Sequence, residues 1–241
     1  MWEPMRIPFR ATDRIFYELD WSDDPELLEA VRRCVEGQKA AATQARQDFQ
    51  LHPNARHEVS PEALEAILKA GTQISGVATE REISNCIAFN LKKVQGAVIN
   101  PEVARVRNEA DRMVGRRLTR IFREAERIVV KNSGHFWYPP GGYMGWHTNL
   151  RTPGWRLYIN YVEEPGQSFF RYRDPESGRI VTAVDRQWNF RLFKITPKKP
   201  LWHAVYSDTN RFSLGYMVTL QPTLLGQLKG RVKNRLVRIL A

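Results

Sequence analysis

The chain of 241 residues is long enough for one domain with a substantial core, or for one domain with a helical extension. Its two cysteines exclude a disulfide scaffold, and no stretch resembles a signal peptide or a membrane span, so we expect a cytoplasmic protein. The formal net charge of +11, from 37 Lys and Arg against 26 Asp and Glu, favours acidic partners such as nucleic acid, anionic lipid or a negatively charged metabolite.

Helix-start signals dominate the first half of the chain. At three places an Asp, Ser or Asn precedes a proline and a glutamate, an order that caps a helix and favours its first turn. These signals predict helices from residue 25 into the forties, over 61–70 and over 101–131. The segment 14–21 is expected to be a strand at a sheet edge. In the longest helix, apolar residues recur every three to five positions, so one face can pack against a sheet.

From residue 135 the pattern changes to short β-rich segments separated by turn signals. Such a series of short strands fits a double-stranded β-helix, or jelly roll. We therefore expect an α+β protein in which residues 1–132 form a mainly helical region packed on the sheet and 133–222 form the barrel core. Strands are predicted near residues 135–138, 143–148, 155–162, 168–173, 179–183, 187–195, 200–205 and 211–220.

The last segment, 223–241, is predicted to be a basic amphipathic helix with an apolar stripe and no acidic residue. A helix of this kind can lie on an anionic membrane or bind nucleic acid. Because Gly226 and Gly230 weaken it as a free helix, docking on its own barrel or on a dimer partner is favoured instead.

Two histidines in the second half are candidate metal ligands. His147 and Asn149 are two positions apart in a predicted strand, so their side chains should share one face. His203 lies 56 positions later in another predicted strand, which a barrel can bring beside the first. Two imidazoles and a small oxygen donor, with coordination positions left open, suit non-haem Fe(II). His52, His57 and His135 are expected to be ordinary packed or surface residues.

A candidate carboxylate site follows the second histidine. Arg211 lies eight residues after His203, and Ser213 should share its strand face. A planar guanidinium gives a carboxylate two charge-assisted hydrogen bonds, and a hydroxyl adds a third. The pair is therefore suited to holding the far carboxylate of a dicarboxylic acid.

In this order of residues the chain resembles the Fe(II)- and 2-oxoglutarate-dependent oxygenases, in particular the prolyl-hydroxylase-like and the aspartyl/asparaginyl-hydroxylase-like branches. The resemblance covers about residues 135–220 and is specific as an ordered combination, whereas each element alone is weak. The matching elements are Tyr138-Pro-Pro-Gly-Gly-Tyr143, His147-Thr-Asn149, Arg156-Leu-Tyr-Ile-Asn-Tyr161, His203 and Arg211-Phe-Ser213.

The resemblance implies a double-stranded β-helix that binds Fe(II) through His147 and His203, with 2-oxoglutarate as cosubstrate held by Arg211 and Ser213. It implies that dioxygen converts 2-oxoglutarate to succinate and carbon dioxide while a substrate C–H bond is oxidised, with hydroxylation as the default outcome. The substrate is unidentified, and the positive charge of the chain favours an acidic one. Further expected contacts are Tyr138 and Asn160 for the cosubstrate, and Trp146, Tyr158 and Trp202 for the substrate.

Asn149 departs from the family pattern, which has Asp or Glu at this position. An amide oxygen can coordinate a metal but is neutral and a weaker donor, so iron affinity should fall. Three outcomes stay open: Asn149 is the third ligand, water replaces it while Asn149 hydrogen-bonds outside, or the site has lost activity. The alternative function is therefore a catalytically inactive barrel that binds a ligand or nucleic acid.

Overall fold

The computed structural model of the chain describes residues 6–10, 14–41, 47, 49–71, 84–89, 93–94, 97–98, 101–122, 128–150 and 152–221. Its helices are α1 (Pro25–Ala41), α2 (Ala55–Glu58), α3 (Pro61–Lys69) and α4 (Pro101–Ile121). The predicted cap of α3 is present, because the Ser60 hydroxyl accepts a hydrogen bond from the amide of Ala63 at 3.1 Å.

Thirteen strands are defined within these residues, and most of them follow α4. Eight, β6 to β13, correspond to the eight strands predicted from the sequence; their ends differ by up to three residues, except that β6 begins at Ile128, seven residues before the predicted start. The strands are β1 (Phe16–Leu19), β2 (Ser84–Asn85), β3 (Ile87–Phe89), β4 (Lys93–Val94), β5 (Ala97–Val98), β6 (Ile128–Tyr138), β7 (Gly142–His147), β8 (Gly154–Val162), β9 (Ser168–Arg173), β10 (Ile180–Val184), β11 (Trp188–Ile195), β12 (His203–Ser207) and β13 (Arg211–Leu220).

The strands form two sheets, and paired strands within each sheet are antiparallel. The larger sheet has the order β1-β11-β8-β13-β6-β3-β4-β5, and the smaller has β10-β9-β12-β7-β2. Between β6 and β13 the chain passes repeatedly from one sheet to the other, which is the winding of a double-stranded β-helix. The predicted α+β fold with a jelly-roll core is thus confirmed, as is the edge position of the strand near residue 16.

Three apolar clusters divide the molecule into layers. The outer face of the larger sheet packs against α1 and α4, so the N-terminal helices cover it as predicted. The outer face of the smaller sheet packs against α2 and α3. Between the sheets, inner-face side chains such as Met144, Phe170, Phe193 and Val205 form the third cluster, which surrounds the barrel interior.

The longest helix is shorter than predicted. We expected it to reach residue 131, but α4 ends at Ile121 and Ile128 already belongs to β6. The β-branched residues Val129 and Val130 pair with Thr219 and Val218 of β13, so long-range sheet pairing overrides the helical periodicity.

Some features were not predicted, and one prediction falls outside the described residues. Helix α2 and the short strands β2 to β5 have no clear signal in the sequence. The basic segment 223–241 lies outside the described residues, and the division of the chain at residues 132 and 222 stays a prediction. Among the helices that the structure describes, none combines the length and apolar character needed to cross a membrane.

Candidate functional site

The two candidate histidines meet inside the barrel. His147 ends β7 and His203 begins β12, and they are direct partners across the ladder between these strands. Their ring centroids are 4.1 Å apart, and the residues are only 2% and 0% exposed. The sheet therefore brings together two imidazoles that are distant in sequence.

Backbone carbonyls orient both rings in the same way. Nδ1 of His147 donates to the carbonyl of Gly145 at 2.8 Å, and Nδ1 of His203 donates to that of Leu201 at 3.0 Å. This bond fixes the tautomer in which Nε2 carries the lone pair, as in most metal-binding histidines. Among the described residues, no protein group hydrogen-bonds Nε2 of His147.

Burial keeps the imidazoles neutral at physiological pH. It lowers the pKa of His147 to about 4, against a smaller opposing effect of the bond to Gly145. It lowers the pKa of His203 well below the ordinary value, and the neighbouring His147 adds to the shift. Neutral imidazole is the form that binds a metal, so no proton has to leave either ring before an ion enters.

Asn149 lies beside the two histidines, as predicted. It is not part of strand β7, however, so the alternation of side chains along a strand is not the reason. Strand β7 ends at His147, and Asn149 has a left-handed backbone with φ of 55°, which asparagine tolerates better than most residues. Its Nδ2 lies 3.3 Å from Nε2 of His203 and 3.4 Å from the hydroxyl of Tyr158. A half-turn of the amide would present Oδ1 at the same place.

The donor set fits a metal ion with two strong ligands and one weak one. Within the described part of the chain, no group of three or more His, Cys, Asp or Glu side chains is placed to hold a metal. The two imidazoles and the Asn149 amide nevertheless line one cavity, and nitrogen ligands with an oxygen donor suit Fe(II). Residues 147, 149 and 203 are thus brought together as the sequence predicted.

A small cavity of about 50 Å³ adjoins the histidines. Tyr158 and Tyr138, two of the predicted contacts, line it together with Ser213. Burial raises the pKa of both tyrosines, so each keeps its hydroxyl proton and can donate a hydrogen bond. The remaining lining residues are Ser133, Gly134, Phe136, Met144, His147, Asn149, His203, Val205 and Gly215.

The candidate carboxylate site lies on the same inner face of β13. Arg211 is fully buried and Ser213 is 5% exposed. The Arg211 guanidinium lies over the ring of Tyr138, with 5.1 Å from Cζ to the ring centroid. Its Nε donates to Asp185 at 2.8 Å, whereas Nη1 and Nη2 are buried without a hydrogen-bond partner. Two such donors fit the two oxygens of an incoming carboxylate.

Asn160 adds two more unpaired polar atoms at this level of the barrel. It lies opposite Ser213 in the ladder between β8 and β13 and is completely buried. Both Nδ2 and Oδ1 lack a partner. Buried polar atoms are rarely left unpaired, so these two atoms indicate a polar ligand or ordered water.

The structure does not bring the two predicted tryptophans to the site. Trp146 and Trp202 belong to the cluster on the outer face of the smaller sheet, beneath α2 and α3. The indole of Trp146 donates to the carbonyl of Ser60 at 2.7 Å. Each is next in sequence to a histidine that faces inward, and neighbouring side chains in a strand face opposite ways.

Asp185 and the glycine pair Gly134 and Gly215 were missed. Asp185 follows β10 and binds Arg211, a contact that sequence order does not reveal. The two glycines pair across β6 and β13, and a Cβ at residue 215 would lie 2.8 Å from the carbonyl oxygen of Gly134. Glycines in paired strands signal a close backbone approach, which could have identified this wall of the cavity.

The chain is similar to solved structures at low sequence identity. No protein-family model and no curated protein matches the sequence. A prolyl-4-hydroxylase from Pseudomonas putida is similar in structure, with 12% identity, a TM-score of 0.49, and coverage of 86% of this chain and 92% of that chain. The viral collagen prolyl hydroxylase of Paramecium Bursaria Chlorella virus-1, solved as a 2-oxoglutarate complex, has 11% identity, a TM-score of 0.41, and coverage of 86% and 96%. At these values the side chains of the site have to carry any conclusion on function.

Proposed function

We propose that this protein is an Fe(II)- and 2-oxoglutarate-dependent oxygenase that hydroxylates a substrate C–H bond. The observation that carries the proposal is the facing pair His147 and His203, whose Nδ1 atoms are held by backbone carbonyls and whose rings line a cavity together with Asn149. Metal-binding histidines are usually oriented in this way, by a hydrogen bond from the ring nitrogen that does not bind the metal.

Each group of the site has a role in this proposal. His147 and His203 would hold Fe(II), with Asn149 as a weak third ligand through its amide oxygen. The Nη atoms of Arg211 and the Ser213 hydroxyl would receive the distal carboxylate of 2-oxoglutarate, near Tyr138 and Asn160. When bound, iron and 2-oxoglutarate supply the oxidising chemistry, in which dioxygen is consumed and succinate and carbon dioxide are formed.

The inner-face aromatic residues keep water away from the site. The rings of Phe170 and Phe193 each lie 5.4 Å from that of His203, centroid to centroid. Tyr158 packs edge-on against Phe193 at 4.9 Å and accepts the amide hydrogen bond of Asn149. A dry wall of this kind strengthens the polar contacts of a bound ligand and limits side reactions with water.

Anaerobic spectroscopy tests the proposal directly. Metal-free protein should develop a visible charge-transfer band when Fe(II) and 2-oxoglutarate are added together, and admission of air should yield succinate. His203→Ala should abolish both signals, whereas the control His57→Ala, at an exposed helix position, should keep them. If the wild-type protein gives neither the band nor succinate, the proposed oxygenase activity is excluded.

One observation favours the second candidate, a non-catalytic barrel that binds a ligand or nucleic acid. The Asn149 amide donates to Nε2 of His203, which occupies the lone pair that a metal would use. The net charge of +11 would attract nucleic acid. Salt-sensitive nucleic-acid binding that survives both His147→Ala and His203→Ala, without Fe(II) binding by the wild type, would support this candidate.

A further inference from the structure

A buried ionic cluster lies behind the candidate carboxylate site. Asp185 stands between two arginines: its Oδ2 accepts from Nε of Arg211 at 2.8 Å, and its Oδ1 accepts from Nη1 of Arg191. The side chains of Asp185, Arg191 and Arg211 are at most 1% exposed. Charges buried this deeply persist only where they are paired and hydrogen-bonded.

Asp185 itself is held firmly. Its Oδ2 also accepts from the Ser168 hydroxyl at 2.6 Å, its amide donates to the carbonyl of Ser168, and its carbonyl accepts from the amide of Gly166. Burial alone would raise the pKa of this carboxyl, but Arg211 and Arg191 outweigh it and lower the pKa below the ordinary value. Asp185 is therefore a fixed anion at neutral pH.

The cluster carries one positive charge in excess, since two guanidiniums share one buried carboxylate. Glu18 contacts Nε of Arg191 at 3.2 Å, but its side chain is 53% exposed, so solvent screens its charge. No second buried carboxylate reaches Arg211 among the described residues. A buried cation of this kind favours an anionic ligand at the two Nη atoms that have no partner.

The contact to Asp185 also fixes the rotation of the guanidinium. A planar group held at Nε has its Nη1 and Nη2 edge in a defined direction, whereas a free arginine samples many rotamers. Ser213, two positions along the same strand face, lines the cavity beside the histidines. Arg211 lies next to this lining, over the ring of Tyr138, and its orientation is set by Asp185, which does not line the cavity.

We propose that Asp185 is a positioning residue that orients Arg211 toward the distal carboxylate of the cosubstrate and thereby makes the site selective for a dicarboxylic 2-oxo acid. This inference rests on the proposed function and deepens it. Asp185 acts through Arg211 and does not touch the ligand. Ser168 supports it by holding the carboxylate in place.

Asp185→Asn separates positioning from simple electrostatics, because the two predict opposite signs. Removal of a buried negative charge makes the site more positive, which by itself would tighten the binding of an anion. Loss of the anchor at Nε instead weakens binding, by about 10- to 100-fold if Asp185 acts as residues that orient ligand-binding groups usually do. The measured dissociation constant for 2-oxoglutarate therefore decides between them.

The experiment compares two five-carbon ligands on the full chain loaded with Fe(II) under anaerobic conditions. 2-Oxoglutarate has the distal carboxylate, whereas 2-oxovalerate lacks it. Asp185→Asn should weaken 2-oxoglutarate binding by about tenfold or more and leave 2-oxovalerate and Fe(II) affinities unchanged. Ser168→Ala keeps every charge and should give a smaller loss confined to 2-oxoglutarate. Glu18→Gln, which removes only the screened contact, should change neither affinity.

The outcomes distinguish a wrong inference from a wrong function. Wild-type protein that binds neither ligand would overturn the proposed function and this inference with it. Wild-type binding together with unchanged or tighter 2-oxoglutarate binding by Asp185→Asn would overturn the inference alone, and so would an equal loss for both ligands. If Asp185→Asn does not fold, the selective loss in Ser168→Ala supports positioning, and its absence overturns it.

Discussion

The outer face of the larger sheet and the interior of the barrel both carry buried histidines, but the ring nitrogens have different partners in the two places. On the outer face, both ring nitrogens of His135 have protein partners: Nδ1 lies 3.0 Å from the amide nitrogen of Gln38, and Nε2 lies 2.7 Å from that of Asn132. Asp111 lies 3.5 Å from the same Nε2 and also accepts from the hydroxyl of Tyr216.

In the barrel interior, His147 and His203 both line the cavity. Both rings bond a backbone carbonyl through Nδ1, and Nε2 of His203 contacts the Asn149 amide. The Nη atoms of Arg211 and the amide of Asn160 are unpaired. Three buried histidines therefore divide into one that stabilises the interface with the helices and two that are prepared for a ligand. Burial alone does not identify a site; the direction of the second ring nitrogen does.

The largest expected effect separates these two kinds of histidine. His203→Ala should reduce Fe(II) affinity by more than about 100-fold, because it removes a direct ligand and not a supporting contact. His135→Gln should leave Fe(II) affinity unchanged. Calorimetric titration with Fe(II) under anaerobic conditions measures both, after circular dichroism has shown that each variant is folded. Equal losses in the two variants would contradict the division.

The outer-face histidine should appear instead in the pH dependence of stability. Burial lowers the pKa of His135 from 6.5 to about 4, so the folded state favours the neutral ring. Its contribution is complete above pH 6.5 and is lost as the pH falls toward 4, a change of roughly 3 kcal/mol in the free energy of unfolding. His147 and His203 shift in the same direction.

Denaturant unfolding of the metal-free protein between pH 7 and pH 4.5 measures this slope. His135→Gln should flatten it, whereas the exposed His57→Gln should not. An unchanged slope in His135→Gln would mean that the ring is not held neutral by its surroundings.

A smaller effect is expected at residue 149. Asn149→Asp places a charged oxygen donor beside the two imidazoles and should tighten Fe(II) binding by about tenfold, since carboxylates are stronger ligands than amides. Aspartate also tolerates the left-handed backbone at this position, so the loop should keep its conformation. Unchanged Fe(II) affinity, measured by competition with a chelator, would place residue 149 outside the metal ligands.

The smallest expected effects concern two glycines on opposite sides of the sheet. Gly115→Ala adds a methyl group in α4 that lies 3.9 Å from Cβ of Val130, an ordinary contact, so it should stabilise the protein by about 0.5–1 kcal/mol. Gly215→Ala brings a methyl group to 2.8 Å from the carbonyl oxygen of Gly134, so it should destabilise by about 1–3 kcal/mol. Thermal unfolding measures the change in stability of both variants. If Gly215→Ala also stabilises the protein, the strands that carry Gly134 and Gly215 can move apart to accept the methyl group.

The strands of the barrel and the pairing of its histidines could be predicted from the sequence. Alternating apolar segments and turn residues are local signals, and they located β6 to β13. The same reasoning could have placed Trp146 and Trp202 correctly, because a residue next to an inward-facing ligand on a strand faces outward.

Other features depend on contacts between distant parts of the chain. The start of β6 at Ile128 is fixed by pairing with β13, about a hundred residues later, although the preceding residues favour helix. Asp185 follows a strand in an ordinary turn position. Its role is recognised only from its contact with Arg211, 26 positions away. Asn149 lies beside the histidines because its backbone is left-handed, a conformation that could not be predicted from the sequence.

The direct pairing of His147 with His203 has a mechanical consequence. The two residues are 56 positions apart in sequence, yet they are partners in the ladder between β7 and β12. An ion bound by both imidazoles would cross-link the two strands and would close a long loop in any partly unfolded chain. Loading such a site would therefore fasten two strands of the smaller sheet and slow their separation, in addition to any chemistry performed there.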